Sequence, residues 1–260
     1  MSPPLQNKNV LVTRAKGQAA SLIDLLNHNG AEVYHAPLIR FEPVITPMND
    51  QALTRLASQD DWLFFTSTNT VHFFHQYCKR LNIHVHNRIA AVGKKTATLL
   101  HQLGYQVDFK PSIYQGTVMV EEFVATYGNQ HRVTLLSGEK ARADIPNRLK
   151  QKQVDFQKIV IYRTMMNRAS QDTLQHFIEH IGIDACFFTS PSTVQAFLKL
   201  LHTNTISRQK DHLLCVAIGS TTANELENRQ FQNIIYPDQF TTEAMVDCLI
   251  EYYQREGDSP

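Results

Sequence analysis

Cysteine is scarce: Cys78, Cys186, Cys215 and Cys248 stand far apart in a chain of 260 residues. No Cys-x-x-Cys pair exists, so a disulfide framework and a zinc ribbon are both excluded, and the thiols read as reduced core residues. An excess of either charge is missing too. Lys and Arg number 25 against 24 Asp and Glu, a formal net charge of +1. That balance excludes general attraction to nucleic acid or to an anionic membrane, so any anion site must come from local placement of cations and backbone dipoles. No apolar run approaches the ~20 residues of a membrane-spanning helix. The start lacks the charged, apolar, small-residue order of a secretory signal, and the expected location is cytoplasmic.

Nucleotide loops are also lacking. There is no G-x-G-x-x-G and no G-x-x-x-x-G-K-[ST], and Gly93-Lys94-Lys95-Thr96 has the wrong spacing for the latter. Nicotinamide, flavin and ATP are disfavoured. His176-Phe177-Ile178-Glu179-His180 has the spacing of a zinc helix. Leu174, Phe177, Ile178 and Ile181 would form its buried face, which turns both histidines toward solvent, and no third ligand is evident. No metal is expected. No His–Asp pair accompanies the lone cysteines, so nucleophilic hydrolysis has no support.

What the chain does contain is ample core material, 43% hydrophobic, in a length that suits two domains. Met1 to Asn7 and Arg255 to Pro260 are polar and expected to fray. It also contains itself twice. Phe65-Thr66-Ser67 returns 123 residues later as Phe188-Thr189-Ser190, and Val10–Arg14 matches Val133–Ser137 at the same offset. Ala91-Val92-Gly93 returns as Ala217-Ile218-Gly219 at an offset of 126, with Pro111 matching Pro237 and Met119-Val120 matching Met245-Val246. Each copy alternates short apolar strands with amphipathic helices. In the first copy the strands are expected at Asn9–Thr13, Glu32–His35, Trp62–Thr66, Arg88–Val92 and Gln106–Phe109. Val71, Phe74, Cys78 and Leu81 share a helical face, as do Val194, Phe197, Leu198 and Leu201. Gly30 and Gly104 sit where a left-handed residue ends a helix. This pattern is α/β, with two similar doubly wound parallel-sheet domains.

Pro37–Arg40 aligns with Val160–Arg163 at the first offset, and both look extended. Read as interdomain crossovers, they leave a discontinuous first domain of residues 1–36 and 164–260. Residues 41–159 form the second domain, and 37–40 and 160–163 form the linker. Ligands of open parallel sheets bind beyond the carboxyl ends of the strands. Those ends carry Thr13-Arg14, Thr66-Ser67-Thr68-Asn69, Gly93–Thr96, Ser137-Gly138-Glu139, Thr189–Thr193 and Gly219-Ser220-Thr221-Thr222. Nearly all are hydroxyl-rich or glycine turns opening helices, where free amides and the helix dipole favour an anion. Helix capping alone accounts for any single turn. Six at matching places in two domains point to one shared polyanionic ligand.

Taken in order, Val10-Leu11-Val12-Thr13-Arg14, Phe65-Thr66-Ser67-x-Asn69-x-Val71, Ala91-Val92-Gly93-x-x-Thr96-Ala97, Gly138-Glu139-x-x-Arg142, Val160-Ile161-Tyr162-Arg163, Phe188-Thr189-Ser190-Pro191-Ser192-x-Val194 and Ala217-Ile218-Gly219-x-Thr221-Thr222-Ala223 resemble the uroporphyrinogen-III synthase family. Ala15, Lys94 and Ser137 depart from its pattern, standing where proline, proline and arginine are common. The resemblance implies a cofactor-free lyase of haem biosynthesis with two α/β domains on a two-stranded linker and a cleft between them. Its substrate would be hydroxymethylbilane, an open-chain tetrapyrrole with acetate and propionate on every ring. The enzyme would close it to uroporphyrinogen III, losing water and inverting the last ring through a spiro intermediate.

Tyr162 is the candidate acid, since a phenol holds its proton at neutral pH. Thr13, Arg14, Ser67, Arg142, Thr189, Ser190, Thr221 and Thr222 are the candidate substrate-binding residues, while Glu139 is expected to cap its own turn. A monomer is the default, since no long exposed apolar stripe stands out, and opening and closing about the thin linker and hand-over of substrate from the preceding pathway enzyme are further expectations. Two rivals are a non-catalytic two-domain binding protein for a small polyanion and a two-domain glycosyltransferase.

Overall fold

The computed structural model describes residues 3–257. Ten strands lie among them: β1 (Asn9–Val12), β2 (Glu32–His35), β3 (Ile39–Pro43), β4 (Trp62–Phe65), β5 (Ile89–Ala91), β6 (Val133–Gly138), β7 (Phe156–Met166), β8 (Ala185–Phe188), β9 (Leu214–Ala217) and β10 (Ile234–Ile235). The chain divides into two compact units. Unit 1 is formed by the segments up to Arg40 and from Met165 onward, unit 2 by Phe41–Thr164. The chain passes between them twice, inside β3 after Arg40 and inside β7 after Thr164.

The sheet of unit 1 has the order β10-β9-β8-β1-β2, and the second sheet has β3-β7-β6-β4-β5. The repeat pairs β1 with β6, β2 with β7, β4 with β8 and β5 with β9. Phe109, bridged in parallel to Ala90, stands where β10 stands in the other sheet. Apart from β3 the two sheets therefore have the same order. Each also draws on both sequence copies: β1 and β2 join β8 to β10, and β4 and β5 join β6 and β7.

Strand β4 shows why the sheets are wound on both faces. All four of its residues are buried. Leu63 and Phe65 enter one cluster with Val71, Phe74 and Leu100, while Trp62 and Phe64 enter another with Met119, Val120 and Phe123. A strand with helices on both sides must be apolar at every position, which is how a parallel strand reads. In unit 1, Val10, Val12, Phe187 and Val216 pack on Leu22, Leu26, Met245 and Leu249.

Several elements differ from the sequence expectation. Val160–Arg163, expected as linker, lies inside β7 and pairs with β6, with Ser137 opposite Val160 and Gly138 opposite Tyr162. Ile159 and Ile161 bury in the unit 2 core and hold this stretch in the sheet. Gln106–Phe109 shrinks to the single Phe109 bridge, because the Asp108 carboxylate takes the Ile89 N–H at 2.8 Å that a strand carbonyl would otherwise accept. The expected fraying does not hold at Leu5, which is fully buried and donates its N–H to the Asn29 carbonyl at 2.9 Å. Arg255 lies in the helix Thr242–Gly257, while Met1, Ser2 and Asp258–Pro260 lie outside the described residues. All four thiols are free. Burial pushes Cys78 up to about 11 and raises Cys186, Cys215 and Cys248, which favours the neutral thiol at each.

Candidate functional site

The strand pairs β1–β2, β1–β8, β8–β9 and β9–β10 of unit 1 are parallel, and so are β4–β5, β4–β6 and β6–β7 of unit 2. Within each unit the carboxyl ends therefore gather on one edge, and the polar turns gather with them.

In unit 1 these turns differ in what they leave available. Thr13 is fully buried and donates its hydroxyl to the Phe187 carbonyl at 2.7 Å, tying β1 to β8. Its side chain is spent on the sheet, and the polar group left at that strand end is Arg14. The Arg14 guanidinium is half-buried, and burial lowers its pKa from the ordinary value, while the Glu243 carboxylate works against that shift. Ser190 caps the helix Pro191–Leu200, accepting from the Thr193 N–H at 3.3 Å, with half-buried Thr189 before it. Gly219 precedes the helix Ser220–Asn228 and offers no side-chain cap. Thr221 is exposed there, and Thr222 is 98% buried, by its 2% residual exposure.

In unit 2, Ser67 repeats the role of Ser190, accepting from the Thr70 N–H at 3.3 Å at the start of helix Thr68–Leu81. Gly93 repeats that of Gly219 before helix Lys94–Gln102, again with no side-chain cap. The serine turns thus satisfy one helix amide internally, whereas the glycine turns bring no oxygen of their own and suit an external anion better. Arg142 is exposed in the loop before helix Asp144–Gln151. The turn after Gly138 is closed by backbone groups, Ala141 N–H to the Gly138 carbonyl and Glu139 N–H to the Tyr162 carbonyl. Ser137, 1% exposed, holds a buried hydroxyl with no hydrogen-bond partner.

Tyr162 is the most closely held of the expected residues. Its half-buried ring stacks on Phe73 at 5.1 Å and 12° and meets Phe41 edge-on at 5.8 Å. The hydroxyl end lies against Gly138, where a Cβ would stand 2.5 Å from Cζ and 2.8 Å from the phenolic oxygen. Unit 2 thus brings together Tyr162, Ser137 and Gly138, and unit 1 brings Thr13 beside the β8 end that carries Thr189 and Ser190.

Sequence reasoning missed Phe73, Phe41, Glu243 and Gly138 as neighbours of the expected residues. Only Gly138 carried a local signal, as the glycine that ends a strand. Among the described residues no group of three or more His, Cys, Asp or Glu is placed to hold a metal. His176 and His180 are exposed and stack at 5.0 Å across a π turn, Phe177–Ile181, where a plain helix was expected. No helix among the described residues is long and apolar enough to cross a membrane.

A family model described as "Uroporphyrinogen-III synthase HemD" matches residues 6–247. The "Porphyrin biosynthesis protein HemD" of Ruminiclostridium josui is 27% identical over 96% of this chain, which spans 50% of that protein's length. The uroporphyrinogen-III synthase of Chlorobaculum parvum is 26% identical over 94% of this chain and 98% of its own. Among solved structures, the uroporphyrinogen-III synthetase of Helicobacter pylori aligns with a TM-score of 0.65 at 17% identity, over 94% of this chain and 99% of that one. A mutant uroporphyrinogen III synthase of Thermus thermophilus aligns at 0.63 and 15%, over 96% and 99%. At these identities the structures speak for a shared fold.

Proposed function

The chain belongs to the uroporphyrinogen-III synthase family, and from that premise we propose that it cyclises hydroxymethylbilane to uroporphyrinogen III as follows. Tyr162 donates its phenolic proton to the terminal hydroxymethyl group, the C–O bond breaks and water leaves. The azafulvenium cation is attacked by the substituted α-carbon of the last pyrrole, giving a spiro intermediate. Its older ring-to-methylene bond breaks, and the methylene so released bonds to the other α-carbon of that ring, which is now turned over. Loss of the ring proton restores the phenol, and the net change is the loss of one water.

The observation that carries this reading is the doubled array of parallel strand ends with anion-seeking turns. A ligand bearing carboxylates on every ring is what such an array suits. The two glycine turns and Arg14 take carboxylates; Arg142 steers them from its exposed loop, and Ser67, Thr189, Ser190, Thr221 and Thr222 shape the helix starts. Thr13 acts through the sheet bond that fixes Arg14. Much of the rate comes from folding a reactive chain into one closure geometry. The enzyme works as a cytoplasmic monomer and takes its substrate from the enzyme that makes it, because the free bilane closes spontaneously to isomer I.

The decisive measurement supplies hydroxymethylbilane and analyses the product. Isomer III supports the synthase, whereas isomer I alone would leave a non-catalytic polyanion-binding protein. In the same assay, Arg14→Ala is expected to raise KM about tenfold, the worth of one charge-assisted contact, with a smaller change in kcat. An unchanged KM would remove Arg14 from the carboxylate set.

A further inference from the structure

Six large apolar side chains are exposed among the described residues; Ile45 and Met48 lie about the start of the helix Pro47–Leu56, and the other four fall in two segments. Ile113 and Tyr114, 56% and 60% exposed, lie in one segment, and Tyr236 and Phe240, 46% and 65% exposed, lie in another. At the 126-residue offset these segments are the same place in the repeat, and Tyr114 falls on Phe240. The correspondence reaches the backbone. Gln115 N–H bonds to the Ile113 carbonyl at 2.7 Å, and Thr241 N–H bonds to the Gln239 carbonyl at 2.8 Å. Each is a three-residue turn centred on the aromatic, and neither centre has positive φ, so both are inverse γ-turns. Each turn leads straight into a helix, with Met119 N–H bonded to the Gln115 carbonyl and Met245 N–H to the Thr241 carbonyl. In unit 2 the Ser112 N–H is anchored to the Glu122 carboxylate at 2.8 Å, fixing the turn to that helix.

Both segments follow the carboxyl end of the last parallel pairing in their sheet, β10 with β9 and Phe109 with Ala90, so each sets out from the edge that carries the anion-seeking turns. Phe240 lies directly on one of them: a Cβ on Gly219 would stand 2.5 Å from its Cδ1. Gly93, the equivalent in unit 2, has nothing within 4 Å of such a Cβ, so Tyr114 stands clear of its turn. At Phe240 an exposed aromatic ring lies against an uncapped helix start, which pairs an apolar surface with an anion cradle.

We propose that Phe240 is a pyrrole-stacking residue, taking the face of one substrate ring while the Gly219 turn takes a carboxylate of that ring, and that Tyr114 offers the same stacking surface in unit 2. This rests on the synthase reading and names the side chains that read the aromatic part of the ligand rather than its charges. Stacking of a flat heterocycle on an aromatic side chain is tolerant of substituents, and its loss is felt in binding more than in chemistry.

The test uses Phe240→Ala and Tyr114→Ala in the full chain. Both side chains project to solvent, so melting temperatures should hold. Each variant is expected to raise KM for hydroxymethylbilane about three- to tenfold, with kcat within about threefold. The Kd for uroporphyrin III, an octacarboxylic macrocycle that needs no turnover, should rise in parallel. Phe240→Tyr and Tyr114→Phe should restore both constants; Phe240→Leu, which keeps an apolar cover on Gly219 but has no π face, should not. Unchanged KM and Kd in the alanine variants would overturn the proposal, as would full rescue by Phe240→Leu. If the wild-type protein makes isomer I alone, the synthase reading fails, and the Kd series still decides whether the rings bind tetrapyrrole.

Discussion

Tyr162→Phe is expected to lower kcat by about 10- to 100-fold with KM for hydroxymethylbilane and the melting temperature nearly unchanged. A positioned general acid contributes roughly 10²- to 10⁴-fold in a typical enzyme, and the effect here should lie at or below the foot of that range because a hydroxymethylpyrrole ionises readily once folded for closure. The substitution removes one oxygen and keeps the ring. The Phe73 stack at 5.1 Å and the Phe41 edge contact at 5.8 Å both survive it, so the fold has little reason to respond. Single-turnover kinetics would separate the chemical step from product release. Gly138→Ala probes the same oxygen from the other side. Its methyl would stand 2.5 Å from Cζ and 2.8 Å from the phenolic oxygen, so the end of the ring and its hydroxyl must both move, and kcat should fall several-fold while the chemistry of the phenol is untouched. Full turnover in Tyr162→Phe would assign the proton to another donor, and Gly138→Ala should then be silent as well.

How much of this was legible in advance differs from element to element. The β4 run Trp62-Leu63-Phe64-Phe65 could be read at once, because burial on both faces leaves no room for alternation. The serine turns were equally plain, since Ser67 and Ser190 do what serine does best at a helix start. Gly30 and Gly104, with φ of +91° and +86°, hold the left-handed positions expected of them. What escaped depended on pairings far apart in the chain. Phe73 lies beside the buried stripe of its helix and carries no periodic signal of its own; its stacking partner is a strand residue from the other sequence copy. Thr13 looked like a ligand group because only its position at a strand end was visible, whereas its bond to Phe187 is a fact of the sheet. The paired turns at Tyr114 and Phe240 were within reach of the second repeat offset. Their exposure was not, because an apolar residue in a loop reads as core until the surface is seen.

Phe123→Ala is expected to cost about 3–5 kcal/mol of stability, and the loss should fall on one unit. Phe123 is fully buried and its ring meets Trp62 at 5.1 Å, Phe64 at 5.0 Å, Tyr127 at 5.4 Å and Phe109 at 6.0 Å. Truncation leaves a ring-sized void among rigid aromatic neighbours that cannot collapse to fill it. All five residues belong to the segment Phe41–Thr164, while unit 1 has its own sheet and its own core on Val10, Val12, Phe187 and Val216. Scanning calorimetry should therefore show an early transition about 10–20 °C below the wild-type midpoint and a later one near it. Phe197→Ala gives the mirror experiment, since Phe197 is fully buried in unit 1 against Phe188 at 5.3 Å. Activity then discriminates further. Tyr162, Phe73 and Gly138 all lie in unit 2, so heating Phe123→Ala through its early transition should abolish turnover while unit 1 is still folded. A single transition shifted equally by both substitutions would mean that the two sheets melt as one cooperative body, and the division of labour between them would have to be sought in the folded state alone.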